Sequence, residues 1–338
     1  LGFCSGINKK IKLIGDKSLS KRDFIRVIKP LSLFGVNIKS KNGKLPIEFY
    51  GSKLLRPINY LEDKGSAQIK TCIILSAINT PGITKIKAKK SRNHTELLLK
   101  SLNYPINIKK TKNFDLINIS GLHKFRSFEY KIPGDISSAS FFIVLTLLSK
   151  KSHLIIKNVN VNPSRIGIIK ILNKMKANIK IINRKNYKGE SLGDIKIKSA
   201  KTLKSINCTP NLNSSAIDEF LLIFLVAAKA NGTSIFKNLD ELNKKESPRL
   251  DIAIKFLKLI GIKVYRKGED IKIKGNPNLD LTRTYHIKNF LKDHRVFMMS
   301  VIAALTFGGK WQIEDKDSIN TSFPKFLKIL KNLGAKVN

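Results

Sequence analysis

"SPRLDIAIKFLKLIGIKV", residues 247–264, decides how the rest of the chain is read. Leu250, Ala253, Ile254 and Leu257 recur at helical spacing and make one apolar face, while Asp251, Lys255 and Lys258 make the other. Gly261 then breaks the helix, and "IKVYRKGEDIKIKG" (262–275) alternates on either side of a central turn, as a hairpin does. Ser247, ahead of the helix, is the expected N-cap. One helix followed by a hairpin is a small layered unit, with an apolar stripe that needs a sheet to cover it.

The same pattern recurs along the chain. "SKRDFIRVIKPLSLFGVNI" (20–38), "SRNHTELLLKSLNYPINI" (91–108), "NPSRIGIIKILNKMKANIKI" (162–181) and "TSFPKFLKILKNLGAKV" (321–337) each open on Ser, Thr or Asn. Each continues at helical spacing, meets a break, and passes into strand-like alternation. Arg22, Arg92, Arg165 and Arg249 stand at four of these openings, and Ser322 stands at the fifth. Their separation is fold-sized, too long for a solenoid repeat. The reading is an α/β chain built from several copies of one helix-and-sheet subdomain, in two domains.

Those openings carry chemistry. A helix N-terminus presents backbone N–H groups and partial positive charge, and arginine adds a planar two-pronged donor for phosphate or carboxylate. The four openers plus Arg295 account for five of only eleven arginines, so arginine is concentrated where anions would bind. Further polar heads precede apolar helices: Ser66 and Gln68 in "DKGSAQIKTCIILSA", Ser91, Arg92 and His94, Asp135 in "IPGDISSASFF", Asp218 and Glu219 in "SSAIDEFLLIFLVAA", and Asp293, His294 and Arg295 in "KDHRVFMMSVIAA". Lys70 lies inside the first of these buried apolar stretches, and the bland alternative there is an N-cap followed by one solvated lysine. Glu246 is held among Lys244, Lys245 and Arg249. A site rich in anion donors and poor in metal ligands suits a small, multiply anionic substrate. No P-loop, dinucleotide or serine-hydrolase signature is present.

Composition narrows the class further. The net charge of +40 rests on lysines spread through every segment, as A/T-rich codon drift produces, without the clustered basic–aromatic motifs of nucleic-acid binders. Cys4, Cys72 and Cys208 lie far apart, which argues against a metal site or disulfide framework and fits a reducing compartment. "FLLIFLVAA" (220–228) and "SVIAAL" (300–305) are shorter than the roughly 20 residues of a membrane span and read as buried helices. A cytoplasmic protein is expected, with no membrane or nucleic-acid partner.

"LIGDKSLSKRDFIRVIKPLSLFG", "GSAQIKTCIILSA", "SRNHTE", "PGDISSASFF", "NPSRIGII", "IDEFLLIFLVAA", "ELNKKESPRL", "DHRVFMM" and "TSFPKF" follow one another in an order and spacing that resembles the 5-enolpyruvylshikimate-3-phosphate (EPSP) synthase family. The resemblance runs from about residue 12 to the end. It implies a two-domain inside-out α/β barrel of βαβαββ units, five of an expected six being present, divided here as 1–133 and 134–338. It also implies transfer of the enolpyruvyl group of phosphoenolpyruvate to the 5-hydroxyl of shikimate 3-phosphate, through a tetrahedral ketal, with release of phosphate. No cofactor or metal is implied, and a monomer is expected.

By the same resemblance, Glu246 gives and retrieves the proton at C3, its acidity raised by the surrounding cations and relieved when two anionic substrates bind. Asp218 faces the 5-hydroxyl as its base. Arg249 and Arg295 clamp the phosphoenolpyruvate carboxylate, with Arg22 and Gln68 on its phosphate. Ser66, the Ala67 backbone, Gln68, Ser91, Asp218 and Lys245 hold shikimate 3-phosphate. Many members carry Ser, Asp and Asp at the positions of Ala67, Asn93 and Pro248, and another branch has a phosphate-binding lysine at that of Thr321. The chain starts at Leu1, and the unit taken as missing is the first. The chain is therefore expected to be part of a longer protein and to be weak or inactive alone. The competing readings are the sister transferase acting on UDP-N-acetylglucosamine and an inactive fragment or homologue.

Overall fold

The computed structural model describes residues 1–288 and 291–337, with Lys17 and Ser18 described in backbone only. It divides into two units, Leu1–Lys131 with Asn186–Glu190, and Ile132–Lys185 with Ser191–Asn338.

The first unit opens with β1 (Lys10–Leu13), α1 (Lys17–Ser20), α2 (Ile25–Leu33), β2 (Asn37–Lys41) and β3 (Lys44–Tyr50), whose strands form an antiparallel sheet in the order β1–β3–β2. It continues with β4 (Asn59–Glu62), α3 (Ala67–Ile78), β5 (Ile83–Lys89), α4 (His94–Ser101), β6 (Ile106–Lys110) and β7 (Phe114–Ser120). These strands lie in the order β4–β5–β7–β6, the first pair parallel and the others antiparallel. The period of two explains the sheet: Thr84, Ile86 and Ala88 of β5 face inward while the intervening lysines face water. Ile69, Ile73, Ile74 and Ala77 of α3 complete the core against Ile117 and Ile119.

In the second unit come α5 (Ile136–Leu148), β8 (His153–Asn160), α6 (Gly167–Lys174), β9 (Asn178–Tyr187) and β10 (Glu190–Lys198), with strand order β8–β10–β9. Next are β11 (Asn207–Cys208), α7 (Asn213–Ala216), α8 (Phe220–Lys229), β12 (Thr233–Phe236), α9 (Arg249–Leu259), β13 (Lys263–Lys267) and β14 (Asp270–Lys274). Their order, β11–β12–β14–β13, and their strand senses repeat those of the β4–β7 sheet. The parallel pair β15 (Leu281–Ile287) and β16 (Gly308–Ile313), with α10 (His294–Phe307) between them, precedes α11 (Phe326–Asn332). Apolar runs become buried helices, as expected: Phe220 through Ala228 of α8 are all buried, and so is most of α10. Among the described residues no single helix is long and apolar enough to cross a membrane.

One expectation fails. The Ser, Thr or Asn openers are not the N-caps. Phe24, Asn93, Ile166, Pro248 and Lys325 occupy those positions on α2, α4, α6, α9 and α11, none with a side-chain cap bond. The chain bends between opener and helix, as where the Arg249 N–H bonds the Ser247 carbonyl at 2.8 Å, and this frees the opener's side chain for other work. Side-chain caps occur instead on the apolar helices, from Ser66 on α3, Asp135 on α5 and Asp293 on α10.

Two glycines after the matching strands carry the repeat into close packing. A Cβ on Gly121 would lie 1.7 Å from the Thr80 carbonyl oxygen, and one on Gly275 would lie 2.1 Å from that of Ala230. Each glycine follows the last strand of its sheet and meets the end of the helix beneath it. Gly121→Ala and Gly275→Ala are expected to destabilise their units by similar amounts, about 1–3 kcal/mol, read as the shift in urea midpoint at constant slope.

Candidate active site

The predicted residues fall into two groups, one on each unit. In the first unit a cavity of about 510 Å³ is lined by Arg22, Arg26, Ala67, Gln68, Arg92 and His94, over an apolar floor. The turn that starts α3 is fixed from behind by Glu62. This buried carboxylate accepts the N–H groups of Lys64 at 3.1 Å, Gly65 at 3.0 Å and Ser66 at 3.0 Å. Ser66 Oγ accepts the Ile69 N–H at 3.4 Å, so the turn enters the helix in one conformation. Arg26 Nη2 donates to Gln68 Oε1 at 2.7 Å. Arginine has no acceptor, so the bond leaves the carboxamide NH2 of Gln68 as its outward donor. Ser91 Oγ is buried without a hydrogen-bond partner in the protein. His94 Nδ1 lies 2.5 Å from Glu190 Oε1.

Lys70 is not solvated. Its side chain is fully buried and its Nζ lies 2.6 Å from Glu96 Oε1, because the second turn of α3 packs against the head of α4. A charge there requires a counter-charge.

The second unit brings together Asp218, Lys245, Glu246, Arg249 and Arg295. Arg249, at the first position of α9, is 1% exposed. Its Nε and Nη2 donate to Asp293 at 2.8 and 3.2 Å, and Nη2 also donates to Glu246. Its Nη1 lies 3.7 Å from Asp218 Oδ1 and makes no hydrogen bond within the protein. Lys245 Nζ stands 3.7 Å from the same oxygen, and Arg165 Nη1 is 3.9 Å from Asp218 Oδ2. Arg295 Nη1 donates to the Asp218 carbonyl at 2.9 Å. One buried guanidinium thus touches both carboxylates expected to move protons. It also has an edge left for an anion.

Sequence reasoning placed Asp293, Glu219 and Arg165 at helix heads but missed that they hold this arrangement. Asp293 caps α10 by accepting the Arg295 N–H at 2.9 Å, accepts the Ser247 hydroxyl at 2.7 Å, and grips Arg249 from the other side. Burial acts to raise its carboxyl. The Arg249 charge and the bonds from Arg249 and Ser247 outweigh that, and hold it below the usual range. Burial likewise acts to lower the Arg249 guanidinium, and Asp293, Glu246 and Asp218 turn the balance upward. Next to Asp218, the fully buried Glu219 accepts from Ser137 Oγ, which accepts from Arg165 Nη2 at 2.5 Å. Burial pushes the Glu219 carboxyl upward against the nearby Arg295 and Arg165 charges. The available signal was the pairing of arginine openers with acidic helix heads far along the chain. Burial drops the pKa of His294, against the pull of Asp293.

The arrangement is a carboxylate pair in a cationic, partly desolvated setting. It suits proton transfer to and from an anionic substrate.

Comparison with known proteins defines the class. The family model described as EPSP synthase (3-phosphoshikimate 1-carboxyvinyltransferase) matches residues 1–330. The chain is 39% identical over 332 residues to the 3-phosphoshikimate 1-carboxyvinyltransferase of Ruthia magnifica subsp. Calyptogena magnifica, covering 97% of this chain and 74% of that protein. The enzyme of the same name from Vesicomyosocius okutanii subsp. Calyptogena okutanii is 40% identical over 328 residues, again 97% and 74%. A solved structure of EPSP synthase from Acinetobacter baumannii superposes with a TM-score of 0.84 at 31% identity, covering 98% of this chain and 75% of that one. The chain belongs to the EPSP synthase family, and its α/β fold is that of the family's structures.

An aspartate held below its unfolded value stabilises the fold above that value, and the contribution is lost as pH falls through the lower folded one. Asp293→Asn is expected to cost about 1–3 kcal/mol at neutral pH by leaving the buried Arg249 with only Glu246 and the more distant Asp218 as counter-charges. The difference from wild type should shrink as the wild type titrates below about pH 4. Urea midpoints measured from pH 7 to pH 3 check both statements.

Proposed function

We propose that this transferase moves the enolpyruvyl group of phosphoenolpyruvate onto the 5-hydroxyl of shikimate 3-phosphate, releasing phosphate, as the shikimate-pathway step towards aromatic amino acids. Asp218 takes the proton of the 5-hydroxyl as its oxygen bonds to C2 of the enol. Glu246 gives a proton to C3, and a tetrahedral ketal results. Glu246 then removes a proton from the C3 methyl group, the double bond re-forms, and phosphate leaves C2 with its electron pair. The developing charges meet fixed cations, which is the main source of rate in such a site.

Arg249, through its remaining Nη1 edge, and Arg295 take the phosphoenolpyruvate carboxylate, and Arg22 and Gln68 take its phosphate. Ser66, the Ala67 backbone, Gln68, Ser91, Asp218 and Lys245 take shikimate 3-phosphate. The protein acts as a cytoplasmic monomer on these two small molecules, without membrane or nucleic-acid partners. Its architecture is an inside-out barrel of βαβαββ units, five of six in this chain, in domains 1–133 and 134–338. The identical order and sense of the β4–β7 and β11–β14 sheets support that reading.

The observation that carries the functional reading is Arg249, ion-paired with Glu246, Asp218 and Asp293 at once. Two of these partners, Glu246 and Asp218, are the carboxylates the chemistry requires. The test is phosphate release from the two substrates, by this chain and by a form carrying any native sequence upstream of Leu1, each beside its Glu246→Gln variant. Release that drops about a hundredfold in the variant is expected, the scale of lost acid–base help. No release by either folded form, with turnover of UDP-N-acetylglucosamine in place of shikimate 3-phosphate, moves the reading to the sister transferase.

A further inference from the structure

Lys70 is the one lysine that is buried among the described residues. Its backbone N–H bonds the Ser66 carbonyl at 3.1 Å, so it closes the first turn of α3, which carries Ser66, Ala67 and Gln68. Its partner Glu96 lies in the first turn of α4, directly after Ser91, Arg92 and His94. The contact at 2.6 Å therefore spans two helix heads. Beside it, Thr71 Oγ1 and Thr95 Oγ1 share a hydrogen bond of 2.7 Å.

A buried ion pair of this kind is a poor way to gain stability, because desolvating both charges offsets their attraction and apolar residues of like volume do as well. What it does well is fix a distance and an orientation between rigid elements. Glu96 Oε2 and Ser91 Oγ are both buried without a hydrogen-bond partner in the protein, so the α4 head still has polar capacity that the fold does not use.

We propose that the Lys70–Glu96 pair is a positioning device that sets the span between the α3 and α4 heads so that both engage one phosphorylated substrate. This rests on the reading above, in which Ser66, Gln68 and Ser91 bind shikimate 3-phosphate. Neither residue of the pair touches substrate. The pair carries no net charge, so removing both members leaves the field at the site nearly unchanged and alters only the geometry.

The test is Lys70→Met with Glu96→Leu, compared with wild type and with Lys70→Met alone, by thermal melting and by calorimetric titration with shikimate 3-phosphate. The single variant strands a buried carboxylate and is expected to melt lower. The double variant is expected to recover the wild-type melting temperature yet bind shikimate 3-phosphate about tenfold or more weakly, since an ångström of misplacement is costly. A double variant that melts and binds like wild type makes the pair structural only and overturns the proposal. If the double variant does not fold, Glu96→Asp keeps both charges and shortens the reach by one methylene. Weakened binding there supports the proposal, and unchanged binding overturns it. Wild-type protein that binds no shikimate 3-phosphate removes the functional reading and this inference together. Binding by wild type that the variants leave intact removes the inference alone.

Discussion

A guanidinium taken out of water must find carboxylates, and the second unit is organised around that requirement at Arg249. Its side chain is almost wholly buried, and Asp293 supplies two of its hydrogen bonds. Asp293 is also the N-cap of α10, so the same carboxylate that neutralises Arg249 fixes where Arg295 begins its helix. Ser247 completes the aspartate, and Glu246 takes the second prong of Arg249. Asp218 stands close enough to feel the charge without a direct hydrogen bond. The heads of α9 and α10 and the turn before α8 are thereby tied to one cation. Removing water from such a cluster strengthens every interaction inside it.

The carboxylates are the scarce component. The chain has 24 acidic residues against 64 lysines and arginines, and Asp135, Asp218, Glu219, Glu246 and Asp293 all gather around Arg165, Arg249 and Arg295. On a surface dominated by lysine, opposite charge is concentrated where protons would have to move. The first unit uses carboxylates differently. Glu62 accepts three backbone N–H groups at the start of α3, and Glu96 is ion-paired through Oε1 with the buried Lys70 ammonium.

Much of this was legible in the sequence where the signal is local. The apolar face of α9 is the predicted one, with Leu250, Ala253, Ile254 and Leu257 buried. The hairpin after Gly261 is present, and the long apolar runs are core helices, because periodicity and hydrophobicity act over a few residues. The caps were misread for a reason that is equally physical. A serine before a helix serves as a cap or as a side-chain donor elsewhere, and Ser247 is drawn to Asp293, a residue far along the chain. The burial of Lys70 was not legible because lysine in this composition carries almost no information, and only packing against α4 reveals it. The family resemblance pointed to Glu246, Asp218 and Arg249 as one site, and the structure brings their side chains together. It was silent on Asp293 as their anchor, since cap and counter-ion are roles that appear only in three dimensions.

In the proposed reaction Glu246 adds a proton to C3 of the enol and later removes one. Incubation of both substrates in D2O tests this directly, because the intermediate methyl group mixes solvent deuterium with the original hydrogens. Deuterium is expected in the vinyl methylene of the product, read by mass spectrometry, with its near-complete loss in Glu246→Gln under the same conditions. Product without deuterium, or deuterium that enters equally fast in the variant, would contradict it.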